Sequence, residues 1–221
     1  MNEVTLINIK EEILAENKEL AHELRDRLRN HGVFLVNLMS SPGSGKTSLI
    51  LRTLEYLKDE FRMAVIEGDV DSAVDAERVA REGFQAIQIR TGGSCHLSAA
   101  MVEKGLEALP LESIDLLFLE NIGNLICPAG SDTGANLNVA LSSIPEGDDK
   151  PLKYPLIFRT SDAFLVNKTD VVDHFDFEMD AFRRRVARLN PDAPVFEVSC
   201  KTEDGIDAWC RWLSKRIAST E

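Results

Sequence analysis

The chain has 221 residues, enough for one α/β domain with a full buried core and no covalent staples. Its 25 basic and 37 acidic residues leave a net charge of −12. Such a chain repels phosphate backbones, which argues against nucleic acid as a partner and requires any bound nucleotide to be held by local groups. Residues 1–10 lack the basic-then-apolar pattern of a secretory leader, and no apolar run approaches the ~18 residues of a membrane span. The expected location is therefore the cytoplasm, with no membrane partner. There, Cys95, Cys127, Cys200 and Cys210 are expected to be free thiols or metal ligands rather than disulfides.

Residues 1–32 read as an N-terminal extension, an extended start followed by a polar amphipathic helix. Ile13, Leu20, Leu24 and Leu28 fall at helical spacing, and Gly32 is a stop. Residues 33–221 read as one α/β domain. Strands are expected at 33–39, 63–67, 86–90, 114–120, 163–167 and 195–198, with helices between most of them, including 46–58 and a last one at 204–217. Apolar strands alternating with amphipathic helices predict a three-layer α/β/α fold around a mainly parallel sheet. The stretch 127–154 is rich in Gly, Ser, Asn, Asp and Pro; no strand is assigned there, and its length marks it as functional or mobile.

The first strand runs into Ser40-Ser41-Pro42-Gly43-Ser44-Gly45-Lys46-Thr47-Ser48. A glycine-bearing turn between a strand and a helix start wraps phosphates with backbone N–H groups and the positive helix end. Gly43 and Gly45 permit backbone conformations that side chains obstruct, with Ser44 between them and Ser48 beyond. Lys46 reaches the β- and γ-phosphates, and the Thr47 hydroxyl ligates Mg²⁺. The pattern G-x-x-x-x-G-K-[ST] is met except at its first glycine, where this chain has Ser40.

Asn167-Lys168-Thr169-Asp170 follows a later apolar run. The Asp170 carboxylate can accept from the N1–H and N2–H donors of guanine, a pair adenine lacks. Lys168 can cover the base, and Asn167 can tie the segment to the phosphate loop. Ser199-Cys200-Lys201 sits where a small loop would contact the guanine oxygen through its backbone. The ligand is thus expected to be GTP or GDP. Asp69 and Glu120, at strand ends, are expected to complete the Mg²⁺ shell, and Gly123 to offer an N–H to the γ-phosphate. Asp75 is a candidate for positioning water, with Asp71 not separable from it on chemistry alone.

A second site is suggested by Cys95-His96, read as the start of a helix, and Cys127. Two thiolates and an imidazole suit Zn²⁺ or Ni²⁺, with a missing ligand from water or from a second copy across a two-fold axis. The plain alternative is buried cysteines beside a surface histidine. Cys210 shares a helical face with Ile206 and Leu213 and reads as core; Cys200 has no evident metal partner.

Together these motifs, with Glu67-Gly68-Asp69, Asp75-Ala76-Glu77-Arg78, Glu120 to Pro128 and the string from Glu146 to Pro155, resemble the hydrogenase maturation GTPases, the HypB nickel-incorporation proteins. These are related to the urease accessory GTPases within the SIMIBI class of P-loop proteins. The resemblance runs from about residue 10 to the end, making 33–221 the G domain. It implies slow GTP hydrolysis coupled to nickel delivery into [NiFe]-hydrogenase precursors, and GTP-promoted homodimerisation with Cys95, His96 and Cys127 near the interface. It also implies contact of Lys150 or Lys153 with the nucleotide or the partner subunit. Some members carry a cysteine cluster or histidine-rich run near the N-terminus; residues 1–32 here hold only His22 and His31. A HypA-like metallochaperone would then supply the metal, with the N-terminal helix as a docking element. Rival readings are a small-molecule kinase on the same loop, a non-catalytic nucleotide-dependent scaffold, and a urease-type nickel-insertion GTPase.

Overall fold

The computed structural model describes residues 9–219, with side chains from residue 14 onward. The extended start expected before the first helix, and the Ile13 side chain, lie outside the described residues. The strands are β1 (Phe34–Ser40), β2 (Met63–Asp69), β3 (Gln85–Arg90), β4 (Leu116–Glu120), β5 (Leu137–Ser143), β6 (Ala163–Asn167) and β7 (Val195–Glu197). The helices are α1 (Ile9–Asn30), α2 (Lys46–Leu57), α3 (Val74–Arg81), α4 (Ala99–Glu107), α5 (Lys150–Lys153), α6 (Pro155–Thr160), α7 (Met179–Leu189) and α8 (Ile206–Ala218). All strand pairs are parallel, in the order β3-β2-β4-β1-β5-β6-β7. Gly32 ends α1 as expected, at φ 67, while Val33 N–H returns to the Leu28 carbonyl.

Side chains alternate across the sheet, and both faces are buried, as helix-covered parallel strands require. Val36, Leu38, Phe118, Val139 and Leu165 face α2 and α8. Leu35, Ile66, Leu117 and Leu119 face α1 and α4, while Ala140, Phe164 and Val166 face α6 and α7 on the same side further along. Helix α1 is joined to this core by Ala21, Leu24 and Leu28.

The stretch 127–154 corrects the sequence reading. It contains β5, which is central: Val36 pairs with Leu137 on one side, and Val139 with Ala163 on the other. Asn138, Ser142 and Ser143 give this strand the composition of a loop, but the side chains of Asn138 and Ser143 face partners. Asn37 Nδ2 donates to Asn138 Oδ1 at 2.9 Å, and Ser143 Oγ donates to Glu146 Oε2 at 2.8 Å. A second correction concerns α4. It starts at Ala99 behind the N-cap Ser98, so Cys95 and His96 lie in the preceding turn rather than on the helix.

Helices α2 and α8 are locked by a buried polar contact. Trp209 Nε1–H donates to Thr53 Oγ1 at 3.0 Å, and that hydroxyl donates to the Leu49 carbonyl. Thr53→Val keeps the volume and leaves the indole N–H unpaired in the core. The expected loss of stability is about 1–3 kcal/mol, read from the denaturant midpoint; an unchanged midpoint would show that the contact contributes nothing.

Candidate functional site

Strand β1 delivers the phosphate loop at the sheet centre, and α2 begins at Lys46. Gly43 and Gly45 have φ of 77 and 100, the left-handed region that glycine tolerates. A Cβ on Gly45 would also lie 2.5 Å from Asn167 Nδ2. Ser40, where the motif has glycine, is an ordinary strand residue and is fully buried. Its hydroxyl accepts from Lys46 Nζ at 3.3 Å and donates to the Ser41 carbonyl. The departure from the motif therefore adds a contact to the lysine.

Lys46 is only 9% exposed, and its Nζ lies 3.9 Å from Glu120 Oε1. Thr47 Oγ1 donates to the same oxygen at 3.0 Å. Glu120 stands beside Glu67 because β4 and β2 pair them in register. Both carboxyls are buried, and burial pushes both upward. Glu67 reaches about 10, with the neighbouring Glu120 as the next cause. Glu67 therefore keeps its proton and holds it toward Glu120, whose charge Lys46 and Thr47 favour. Glu67 Oε1 and Glu120 Oε2 have no donor from the surrounding protein.

A cavity of about 350 Å³ opens over these groups, lined among others by Gly43, Lys46, Asp69, Asp75, Glu120 and Gly123. Asp75 reaches it from the first turn of α3 and also pairs with Arg78. Asp71, the other candidate, is not in its lining. Asp69 Oδ1 accepts from the N–H groups of Asp71 and Ser72, so one of its oxygens already shapes the following turn. Gly123 lies against the loop; a Cβ there would come within 2.8 Å of Pro42.

A second cavity, about 360 Å³, is lined by Gly45, Ser48, Asn167, Lys168, Asp170, Val171, Cys200 and Lys201. Asn167 ties three segments together: Nδ2 donates to the Ser44 carbonyl, and Oδ1 accepts from Lys168 and Cys200 N–H. Lys168, at φ 63, donates to the Gly43 carbonyl at 2.7 Å. Ser199 lies beneath the cavity and orients Asp170, donating to Oδ1 at 2.7 Å; Lys201 stands 3.7 Å from Oδ2. Lys153 lines neither cavity; it is exposed on α5 and pairs with Asp149.

The ligand atoms of Cys95, His96 and Cys127 lie within 4.8 Å of one another. Cys95 Sγ is 3.7 Å from His96 Nδ1. A hydrogen bond with Cys127, then burial, pushes the Cys95 thiol up, while burial lowers His96 and favours its neutral, ligand-competent ring. Cys200 and Cys210 are pushed up by burial to about 11 and about 12, as inert thiols.

Three residues not assigned from the sequence belong to this arrangement. Glu67 partners Glu120. Asn121, fully buried, bonds both the segment after His96 and the segment after itself. Glu146 accepts from Ser44 Oγ at 2.7 Å and so fastens the phosphate loop to the segment leading into α5. Only strand register could have disclosed the first, and nothing local marks the other two.

The Glu67 proton has a measurable consequence. Its carboxyl ionises at 4.5 when unperturbed and at about 10 in the fold, so between those values the folded chain holds the extra proton and stability falls as pH rises. Glu67→Gln keeps a donor toward Glu120 and cannot ionise. The nucleotide-free variant should lose less stability than the parent between about pH 6 and about pH 9 in urea titrations; parallel curves would remove the assignment.

A family model described as "CobW/HypB/UreG, nucleotide-binding domain" matches residues 34–197. The hydrogenase maturation factor HypB of Azotobacter vinelandii is 44% identical over 216 residues, covering 98% of this chain and 71% of the relative. The hydrogenase/urease maturation factor HypB of Helicobacter hepaticus is 45% identical over 204 residues, 90% of this chain and 84% of the relative. The crystal structure of HypB from Helicobacter pylori in complex with nickel superimposes with a TM-score of 0.89 at 39% identity, covering 93% and 96% of the two chains. These similarities lie over a parallel sheet whose central strand feeds a phosphate loop, and they place the chain in the CobW/HypB/UreG family of P-loop GTPases, among its HypB hydrogenase maturation factors.

Proposed function

We propose that this GTPase handles nickel as cargo and supports its insertion into [NiFe]-hydrogenase precursors in the cytoplasm. The observation that carries the reading is the thiol–imidazole cluster of Cys95, His96 and Cys127, the last on a segment whose start, Asn121 to Gly123, borders the nucleotide cavity. Two sulfurs and one nitrogen are a soft donor set suited to Ni²⁺ or Zn²⁺. A relative crystallised with nickel supports the first choice.

The phosphates of GTP lie along Gly43 to Thr47, with Lys46 on the β- and γ-phosphates and the Gly123 N–H toward the γ-phosphate. Asp170 accepts from the guanine N1–H and N2–H. Lys168 covers the base, and the Cys200–Lys201 backbone faces the guanine oxygen. The hard-oxygen set of Thr47, Glu120 and Asp69 fits Mg²⁺, and the partnerless oxygen of buried Glu120 supports that fit. When bound, such an ion screens charge on the β- and γ-phosphates. Asp75 stands in the same cavity, where it positions the attacking water.

Three donors leave the cluster incomplete, and a second copy would close it across a two-fold axis. Val74 and Ile126, 58% and 64% exposed beside the nucleotide and metal segments, suit such a contact. Lys153, remote from its own cavities, would then serve the partner copy. The segment 1–32 is proposed as a unit appended to the G domain of 33–221, with the exposed side of α1 receiving a HypA-like metallochaperone. A Helicobacter relative named for both hydrogenase and urease keeps a urease client as the second reading.

Asp170→Asn should weaken GTP binding about a hundredfold or more, since two charge-assisted hydrogen bonds are lost, and xanthosine triphosphate should then be preferred. Unchanged GTP affinity in calorimetry would remove the base-reading role. Cys95→Ala and Cys127→Ala should each abolish stoichiometric nickel binding while leaving GTP affinity intact. Full nickel occupancy in both variants would remove the cargo site.

A further inference from the structure

The nucleotide cavity and the metal cluster meet at a single buried amide. Asn121 follows Glu120 at the end of β4 and is 0% exposed. Its Oδ1 accepts from two backbone groups at once, Leu97 N–H at 3.1 Å and Ile122 N–H at 2.9 Å. Leu97 is the residue after His96. Ile122 precedes Gly123, which abuts Pro42 of the phosphate loop. One carbonyl oxygen therefore fastens both the metal-bearing turn and the strand end that reports on the phosphates.

The far side of the amide is fixed. Asn121 Nδ2 donates to Asn37 Oδ1 at 3.1 Å, and Asn37 Nδ2 donates to Asn138 Oδ1, giving a relay of amides across β4, β1 and β5. The turn that carries Cys95 and His96 has further ties to the same region. The Leu97 side chain packs so closely on Gly68 that a Cβ there would lie 2.6 Å from it, and Gly68 separates Glu67 from Asp69. Asn124 Nδ2 approaches the Cys95 carbonyl at 3.4 Å.

We infer that Asn121 is the positioning residue through which nucleotide state sets the geometry of the Cys95–His96 pair. The inference rests on the reading above of a GTP cavity and a nickel cluster. The amide is anchored on the sheet through Nδ2, so it can turn but not drift. A shift of residues 122–123 toward a γ-phosphate draws on the Ile122 N–H bond. The shared oxygen must follow, or leave one of two buried N–H groups without an acceptor. Following alters the hold on Leu97, and with it the placing of His96 and Cys95 relative to Cys127. Nucleotide and nickel thereby bias the same element, which is what coupling between two sites requires.

The test titrates nickel against a chromophoric chelator, in the full-length protein, with GDP and with a non-hydrolysed GTP analogue. In the unmutated protein the two nickel affinities should differ by about fivefold or more. In Asn121→Ala, titrated at saturating nucleotide, the difference should shrink to within about twofold. Asn121→Asp keeps both acceptor contacts but sets an oxygen against Asn37 Oδ1 in place of the Nδ2 donor, so the anchor is lost and the difference should shrink there too. A purely structural role would lower thermal stability and leave the ratio of affinities unchanged. An unchanged ratio in Asn121→Ala, or no difference in the parent, overturns the inference. If Asn121→Ala does not fold, amide exchange in the parent decides. Leu97 and Ile122 protection that differs between the two nucleotide states supports the link, and equal protection overturns it. Loss of GTP or nickel binding in the parent would instead sink the underlying reading, so the two failures are told apart.

Discussion

A lysine buried to 9% exposure cannot stand without a counter-charge, and the way Lys46 is balanced organises the rest of the site. The balancing carboxylate is Glu120, carried on the strand next to β1 and held by Thr47 as well. Glu120 in turn has Glu67 as its in-register neighbour, and two buried carboxyls side by side cannot both ionise. The proton retained by Glu67 resolves that conflict in the nucleotide-free protein. Phosphates entering the cavity meet a lysine already oriented, a hydroxyl already placed, and carboxyl oxygens with no protein donor.

The same logic of satisfaction extends sideways. Asn167 bonds the glycine-bearing loop, its own strand end and the loop after β7, so the second cavity is tied to the loop that lines the first. Glu146 does the equivalent on the β5 side, taking Ser44 and Ser143 and leaving its Oε1 without a partner. Past it, Asp148 pairs with Arg185 on α7, which anchors the segment carrying Lys150 and Lys153. The glycine-bearing loop is thus fastened on two sides by side chains, Asn167 and Glu146, rather than by its own backbone alone.

Much of this was legible because the informative residues are contiguous. Strand, glycine turn and lysine occur in one run, and so do Asn167 to Asp170; Cys95 and His96 are neighbours. What was not legible depended on pairing between distant segments. Strand β5 was hidden because Asn138, Ser142 and Ser143 carry loop-like polarity, and the partners of Asn138 and Ser143, at Asn37 and Glu146, are visible only in the fold. Glu67 gained significance only when register set it beside Glu120. Lys153, which the resemblance sets against the nucleotide or the partner subunit, is exposed, pairs with Asp149 and lines neither cavity of its own chain.

A hard-oxygen site and a soft sulfur–nitrogen site at one edge of one sheet would otherwise compete for the same metals. Here the chain keeps them apart by burial and ligand type. The carboxyls of Glu67 and Glu120 are buried and line the first cavity, which suits the proposed hard-oxygen set, while Cys95 is exposed and Cys127 half-buried, as the proposed soft set with a donor from a second copy requires. Between the two lies a short stretch, from Glu120 to Cys127, that begins in one site and ends in the other. Its first residue bonds Thr47, its second bonds Leu97, its fourth lies on Pro42, and its last is a metal-cluster thiol. In the proposed reading, a nucleotide that draws on residues 122–123 pulls on the same short segment that ends in Cys127, and so acts on both proposed sites at once.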